Sequence, residues 1–512
     1  MEQFLYSRTT KNPKLNVWFA FPAVKSFALS SLGFLSIFKK LDIREDVFAE
    51  RIYTNTKETK IHISDLDVLG FSTSFEIDIL SIMEIFEKYN IPLNSKDRDE
   101  NCPIVFAGGP VLSANPMPFC EFYDFISIGD SQNTFDKIFD ILVKFRNESK
   151  EVKLQELNKL DCVWVPKFGK SKIIKGTTDV LKEPLYTPIL SDESFFKNTF
   201  IIEIERGCPK KCNFCIASYL NLPARFVDVE KIKEAIDIGL TYTNKIALLG
   251  AYVAGHPNFE EILEYIREKN KISPIELTLS SLRADLTTET VIKTLVECGQ
   301  KTATIAIEAG SDRLRKVINK DLTKEQILKT VETARLNGLS GLKAYMMIGH
   351  PTETKEDIEE FISLAKEIKQ KNKGFDVTYS LATFIPKAQT PFQWAKREDT
   401  KSLEDKIAYL KKELHKLGIT LRPTSVQWDD VQAILSRYGD SLYDYFIEVK
   451  KRGANLGAFK HVWKDFAKNN KFKPYEEACK MPFDINGNIP WNFIQFVDEA
   501  KLLSTYKKAI DG

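Results

Sequence analysis

The sequence predicts an α/β protein in three parts: a doubly wound parallel sheet, a partial (β/α)6 barrel and a helical C-terminal region. Between Leu15 and Val143 short apolar runs alternate with amphipathic stretches at the pitch of strand, helix, strand, helix. From Phe200 the alternation restarts and runs through six units, after which apolar positions recur four apart, as they do on a helix. A chain of 512 residues is also too long for one ordinary core.

The first part, residues 1–145, opens with Asn16-Val-Trp-Phe-Ala-Phe, a buried strand by its composition, followed by a helix around 31–41. Then come Leu66-Asp-Val-Leu-Gly-Phe-Ser, a helix around 77–89, Ile104-Val-Phe-Ala-Gly-Gly-Pro, and Phe122-Tyr-Asp-Phe-Ile-Ser-Ile-Gly-Asp. Unbroken apolar runs of this kind suit parallel strands covered on both faces. Ligands of such sheets lie beyond the carboxyl ends of the strands, where Ser72, Thr73, Gly108, Gly109 and Gly129 are expected.

Residues 146–198, with charged stretches, Val163-Trp-Val-Pro and Glu183-Pro-Leu-Tyr-Thr-Pro, read as a linker. The second part, residues 199–400, has strands expected near 200–204, 245–249, 275–279, 302–307, 342–347 and 377–383. Asp228, Thr288, Thr323 and the run 352–357 are the expected helix caps. A parallel barrel carries its chemistry on the loops that follow its strands. The tail, residues 401–512, reads as helices.

A 43% hydrophobic fraction and 73 basic against 71 acidic residues describe a globular enzyme whose overall charge argues neither for nor against nucleic acid. One stretch, Lys450 to Lys473, holds eight Lys or Arg and a single acid, Asp465. It offers an RNA contact, or else the solvated side of a helix whose Phe459, Trp463, Phe466 and Phe472 are spaced like a core face. Eight cysteines, no signal peptide and no twenty-residue apolar span lead to the expectation of a reducing, cytoplasmic setting without membrane attachment.

Three of those cysteines, Cys208, Cys212 and Cys215, lie in Glu205-Arg-Gly-Cys-Pro-Lys-Lys-Cys-Asn-Phe-Cys-Ile-Ala, right after the first strand of the second part. A Cys-x3-Cys-x2-Cys loop gives three thiolates to a four-iron cluster whose full complement is four, leaving one iron open to an exchangeable ligand. A zinc knuckle closes four-coordinate with paired Cys-x-x-Cys units or a nearby histidine, and none of the five histidines is close in sequence.

This motif resembles that of the radical SAM enzymes. The resemblance implies a [4Fe-4S] cluster on Cys208, Cys212 and Cys215 that chelates S-adenosylmethionine (SAM) and splits it to a 5′-deoxyadenosyl radical. It also implies an electron donor of the flavodoxin or ferredoxin type, and places Phe214 against the adenine. After the second strand stands Leu249-Gly250-Ala251-Tyr252, where the superfamily often has a Gly-Gly-Glu that meets the SAM amino group; the acid is missing. Strand three ends in Ser280-Ser281-Leu282-Arg283, suited to holding a carboxylate or, more plainly, to capping a helix. Strand four ends in Glu308-Ala-Gly-Ser-Asp312, similar to the family's Glu-x-Gly-Ser; the alternative for Glu308 is an ordinary salt bridge to Arg313 or Arg315. Strand five ends in Ile348-Gly349-His350, with Ile348 as an apolar edge for adenine, Gly349 allowing close approach, and His350 titrating near neutrality.

The N-terminal part resembles the Rossmann-like, cobalamin-binding (B12-binding) module that precedes many radical SAM barrels. Ala49-Glu-Arg-Ile-Tyr, Asp67-Val-Leu-Gly-Phe-Ser, Phe106-Ala-Gly-Gly-Pro and Asn115-Pro-Met-Pro resemble one family of such proteins, and the module implies Ser72, Gly108, Gly109 and Gly129 as corrinoid contacts. The Asp-x-His-x-x-Gly of histidine-ligated cobalamin domains is absent, since the only earlier histidine is His62. The activities implied are hydrogen abstraction with cobalamin-dependent methyl transfer, or else methylthio transfer to RNA or protein using a second cluster on Cys102, Cys120 and Cys162. An RNA-binding module with a purely structural cluster is the third alternative.

Overall fold

The computed structural model describes residues 2–9, 11–130, 132–169, 172–180 and 184–511. Glu183 therefore lies outside the described residues. The N-terminal part is a six-stranded sheet of β1 (Leu15–Phe21), β2 (Val47–Tyr53), β3 (Val68–Ser72), β4 (Ile104–Gly108), β5 (Phe125–Ser127) and β6 (Val163–Trp164). Its order is β2-β1-β3-β4-β5-β6, parallel except for the last pair. The order reverses between β1 and β3, and the loops after these strands part there. Strand β2 escapes the sequence reading because Glu50 and Arg51 interrupt its apolar run, as an edge strand tolerates. Before β5, residues Met117–Phe122 form a 3-10 turn, so the strand expected from Phe122 begins at Phe125.

Packing inside the sheet is close. A Cβ on Gly70 would lie 2.4 Å from the Phe106 ring, which stacks on Phe125 at 5.0 Å. One face packs against helix Leu32–Asp42, begun by the Ser31 side chain accepting from Phe34 N. The other carries helix Asp78–Lys88 and, beyond it, helices from the far end of the chain.

The barrel strands are β7 (Phe200–Glu203), β8 (Lys245–Leu249), β9 (Glu276–Leu279), β10 (Thr302–Glu308), β11 (Gly341–Ile348) and β12 (Asp376–Thr383). A seventh, β13 (Thr420–Pro423), pairs parallel with β12. Four residues are too few to show an alternation, so this strand hides in a tail that otherwise reads as helical. The seven fall into β7-β8-β9 and β10-β11-β12-β13, all parallel, joined by a single parallel bridge between Leu282 and Ile305. On each strand one face is buried against the helices, and the other, as with Thr304, Ala306 and Glu308 of β10, is half-buried toward the barrel interior. The expected caps form: Asp228, Thr288 and Thr323 accept backbone N–H bonds from Glu230, Val291 and Gln326, and Asp357 accepts from Thr354 N.

Two described segments within the expected linker pair with other strands. Ile189–Ser191 pairs antiparallel with Glu2–Phe4, and Ile173–Ile174 pairs parallel with Ile494–Gln495. Helices Val426–Arg437, Tyr443–Lys451 and Leu456–Lys468 return to the N-terminal sheet, with Phe446 stacked on Phe119 at 5.7 Å and Tyr445 against Trp463 at 5.2 Å. Among the described residues no helix is long and apolar enough to cross a membrane.

Candidate functional site

The cysteine loop leaves β7 through a short ladder, Glu205–Arg206 against Arg225–Phe226, and ends where Cys215 begins helix Ile216–Leu220. Gly207 has φ of 87° and no space for a side chain, since a Cβ would meet the Asn221 carbonyl at 2.4 Å. The loop is pinned to the segment after β10: Asn213 donates to the carbonyls of Ile318 (2.9 Å) and Val317 (2.8 Å), and Asn319 donates to those of Lys210 and Lys211. Tyr219 donates to the Lys211 carbonyl at 3.0 Å. These bonds fix the backbone on either side of Cys212.

Cys208 and Cys212 are buried and Cys215 is half-buried. Burial raises the Cys208 thiol and pushes Cys212 up to about 12, opposed at Cys212 by the nearby cations of Lys320 and Arg283. Iron must therefore displace protons on entering, which couples loading to pH. Among the described residues no three His, Cys, Asp or Glu side chains converge as a single-ion site.

Around this loop stand the strand-end residues. Gly250 and Ser280 are half-buried, and Ser280 Oγ donates to the Gly250 carbonyl at 3.0 Å. Ser281 is exposed. Arg283 is buried rather than on the surface, forked onto Asp285 at 2.9 and 3.1 Å and bonded to the Lys320 carbonyl. Its ready carboxylate is thus the chain's own. Glu308 sits at a register shift in β10 with φ of 70°, a backbone cost for a residue with a side chain. Its partner is Lys320 Nζ at 3.2 Å. Arg313 and Arg315, the partners suggested by sequence, are turned to Asp357 and Asp312 instead.

Phe214 lies 5.9 Å from His350, which also meets Phe384 at 5.6 Å. Burial holds the imidazole at about 4, against the opposing pull of the Glu308 backbone, so His350 is a neutral wall of this apolar corner. Ile348 is buried in the cluster that also holds Leu403, whereas Met347 packs with Phe214 on the cluster of Ala309, Leu314 and Phe384. Gly349, with φ of 78°, is likewise closed off by Leu403, 2.7 Å from its Cβ position. The residue that sequence reasoning passed over is Glu205. It is 1% exposed, and its Oε1 accepts from Tyr252 N beside Gly250.

At the carboxyl edge of the N-terminal sheet, Ser72, Gly108, Gly109 and Gly129 are half-buried. A Cβ on Gly109 would lie 2.1 Å from the Thr73 carbonyl, and one on Gly129 would lie 2.6 Å from that of Gly176, so both glycines are demanded by packing. Loops along this edge are tied to the barrel and to the C-terminal helices. Asp130 pairs with Arg225 at 2.8 Å and Arg206 at 3.3 Å, Lys387 pairs with Glu76 at 2.5 Å, and Asn115 donates to the carbonyls of Ser436 and Tyr438. At the β1 and β3 side the apolar Val24, Phe27, Phe75 and Ile77 stay exposed. His62 is on the opposite edge, capping a turn before β3.

Cys120 packs on one face of this sheet and Cys162 on the other, so Cys102, Cys120 and Cys162 do not assemble a second cluster site. In the basic stretch Phe459 and Trp463 are fully buried, Phe466 and Phe472 are half-buried and packed on each other at 5.0 Å, and Lys450 pairs with Glu87 and Arg452 with Asp465.

The radical SAM superfamily profile matches residues 202–365, and that of the radical SAM proteins' N-terminal domain matches residues 33–166. The chain is 30% identical over 402 residues to the uncharacterized protein MJ0966 of Methanocaldococcus jannaschii, covering 78% of this chain and 84% of that one. It is 26% identical over 330 residues to the uncharacterized methyltransferase PH0819 of Pyrococcus horikoshii, covering 59% of this chain and 67% of the other. The fold superposes on the cobalamin-dependent S-adenosylmethionine radical enzyme OxsB with a TM-score of 0.57 and 16% identity, across 97% of this chain and 78% of that one. With profiles matching both halves and a relative matched along most of its length, the cysteine loop at the barrel mouth has its explanation: this chain belongs to the radical SAM superfamily of enzymes, whose cofactors are a [4Fe-4S] cluster and S-adenosylmethionine.

Proposed function

We propose that this enzyme abstracts hydrogen from an unactivated carbon of its substrate and, with a corrinoid at the edge of its N-terminal sheet, transfers a methyl group there. The observation that carries the first half is the cysteine loop, buried and pinned at the mouth of a parallel barrel. Cys208, Cys212 and Cys215 would hold the cluster, which when bound passes an electron from a flavodoxin- or ferredoxin-type donor to the sulfonium of SAM and so yields a 5′-deoxyadenosyl radical. The chain's own residues do the rest by position. Phe214, Met347 and the neutral His350 wall an apolar corner for the adenine, and Glu308 with Lys320 presents a polar pair across from it. The walls keep water from a radical that would otherwise be quenched.

The corrinoid half is supported by the exposed apolar residues Val24, Phe27, Phe75 and Ile77 at the strand-order reversal, where Ser72 and Gly108 end their strands. His62 lies on the opposite edge and would not reach a corrinoid held here.

Anaerobic reconstitution tests the proposal. About four irons per chain are expected, with SAM cleaved to 5′-deoxyadenosine under reduction, and each of C208S, C212S and C215S abolishing cleavage. About eight irons would favour methylthio transfer instead. Stoichiometric uptake of cobalamin with the optical spectrum of a histidine-free lower face is expected; no uptake refutes the methyl-transfer half and leaves the first half standing.

A further inference from the structure

The end of β8 lacks the acid that meets the SAM amino group in many relatives, and the fold brings one there from another element. Ile204 N donates to the Leu249 carbonyl at 3.0 Å, laying the start of the cysteine loop along the end of β8. Glu205, the next residue, projects onto Gly250 so closely that a Cβ there would stand 2.1 Å from its Oε1. That oxygen accepts from Tyr252 N. Its other oxygen, Oε2, is buried and without a partner among the described residues. The adjacent cation does not serve it: Arg206 is forked onto Glu203 at 2.9 and 2.6 Å and reaches Asp130 and Gln132. A buried carboxylate oxygen without a donor is costly unless a ligand supplies one. Burial accordingly raises this carboxyl to about 7.

We infer that Glu205 is a SAM-positioning residue, its Oε2 accepting from the α-ammonium group of SAM. It thereby takes over, three residues before Cys208, the part that an acid after β8 plays elsewhere. This rests on the SAM chemistry proposed above. Gly250 is then required because any side chain would push the carboxylate off its perch, and Ser280 Oγ, donating to the Gly250 carbonyl, fixes the loop that carries it.

The test uses the reconstituted enzyme with SAM and with an analogue lacking only the amino group. Binding is measured by equilibrium dialysis and by the change in the electron paramagnetic resonance of the reduced cluster. Wild-type enzyme should bind the analogue about 10- to 100-fold more weakly than SAM. Glu205→Gln should bind SAM weakly and the analogue equally weakly, with four irons retained. Gly250→Ala should show the same loss of discrimination. If either variant still prefers SAM as strongly as wild type does, the assignment is overturned. If both variants lose the cluster, it is also overturned, because Glu205 would then be a support of the cysteine loop. Failure of wild-type enzyme to bind SAM at all would refute the proposed function instead.

Discussion

Removing the charge of Lys387 should show how the barrel is fastened to the N-terminal sheet. Glu76, only 7% exposed just beyond β3, accepts from Lys387 Nζ at 2.5 Å, Ser436 Oγ at 2.8 Å and Gln432 Nε2 at 2.9 Å. Burial alone would raise its pKa, yet Lys387 and the hydrogen bonds bring it below the ordinary 4.5. A carboxyl whose folded pKa is depressed stabilises the fold above 4.5, and that contribution fades as pH falls through the lower value. Lys387→Met leaves a buried carboxylate without its cation. Breaking a buried pair costs about 3–5 kcal/mol, and the surviving bonds from Ser436 and Gln432 put this case near the lower figure, about 3 kcal/mol. The sign of the pH dependence then reverses. Without Lys387 the folded pKa of Glu76 rises above 4.5, so the variant should recover stability between neutral pH and about pH 5, where the wild type does not. Glu76→Gln with Lys387→Met should return to within about 1 kcal/mol of wild type. Urea unfolding followed by tryptophan fluorescence, repeated across that pH range, measures all three. A loss under about 1 kcal/mol in the single variant, or a loss that does not shrink with acid, would refute the reasoning.

In cluster-free protein, Glu205→Gln should raise stability above about pH 7 by up to roughly 3 kcal/mol, because a carboxyl raised to about 7 costs stability as it ionises; thermal melts across pH check this. Gly109→Ala places a Cβ 2.1 Å from the Thr73 carbonyl at φ of 120° and should cost about 1–3 kcal/mol, whereas Gly33→Ala, with nothing within 4 Å on a helix, should gain up to about 1 kcal/mol, both by urea titration. Trp463→Ala should cost about 3–5 kcal/mol, while Lys464→Gln on the same helix stays within about 0.5 kcal/mol; the same titration separates the buried side from the solvated one.

The parts written in local patterns were legible. Strand runs, helix caps and the thiol spacing are set by neighbours a few residues apart, and they appear in the fold where the sequence places them. What escaped depends on distance. Glu205 reads as one more residue in a motif until β7 and β8 are laid side by side and its carboxylate lands on Gly250. Ile348 and Met347 are neighbours that pack in different clusters, and a one-residue uncertainty in a strand exchanges one face for the other. Lys387 and Glu76 are 311 residues apart, and no periodicity links them.

The helices that return from the end of the chain also decide how it must be made. Phe119 and Phe122, presented by an early-synthesised sheet, find Phe446 and Tyr443 only when the ribosome has added more than three hundred further residues. Until then the nascent chain carries an oily surface into the cell, a state that invites aggregation and calls for chaperones. Expression cut short after the barrel would leave that surface bare, so the first domain relies for its cover on helices Tyr443–Lys451 and Leu456–Lys468.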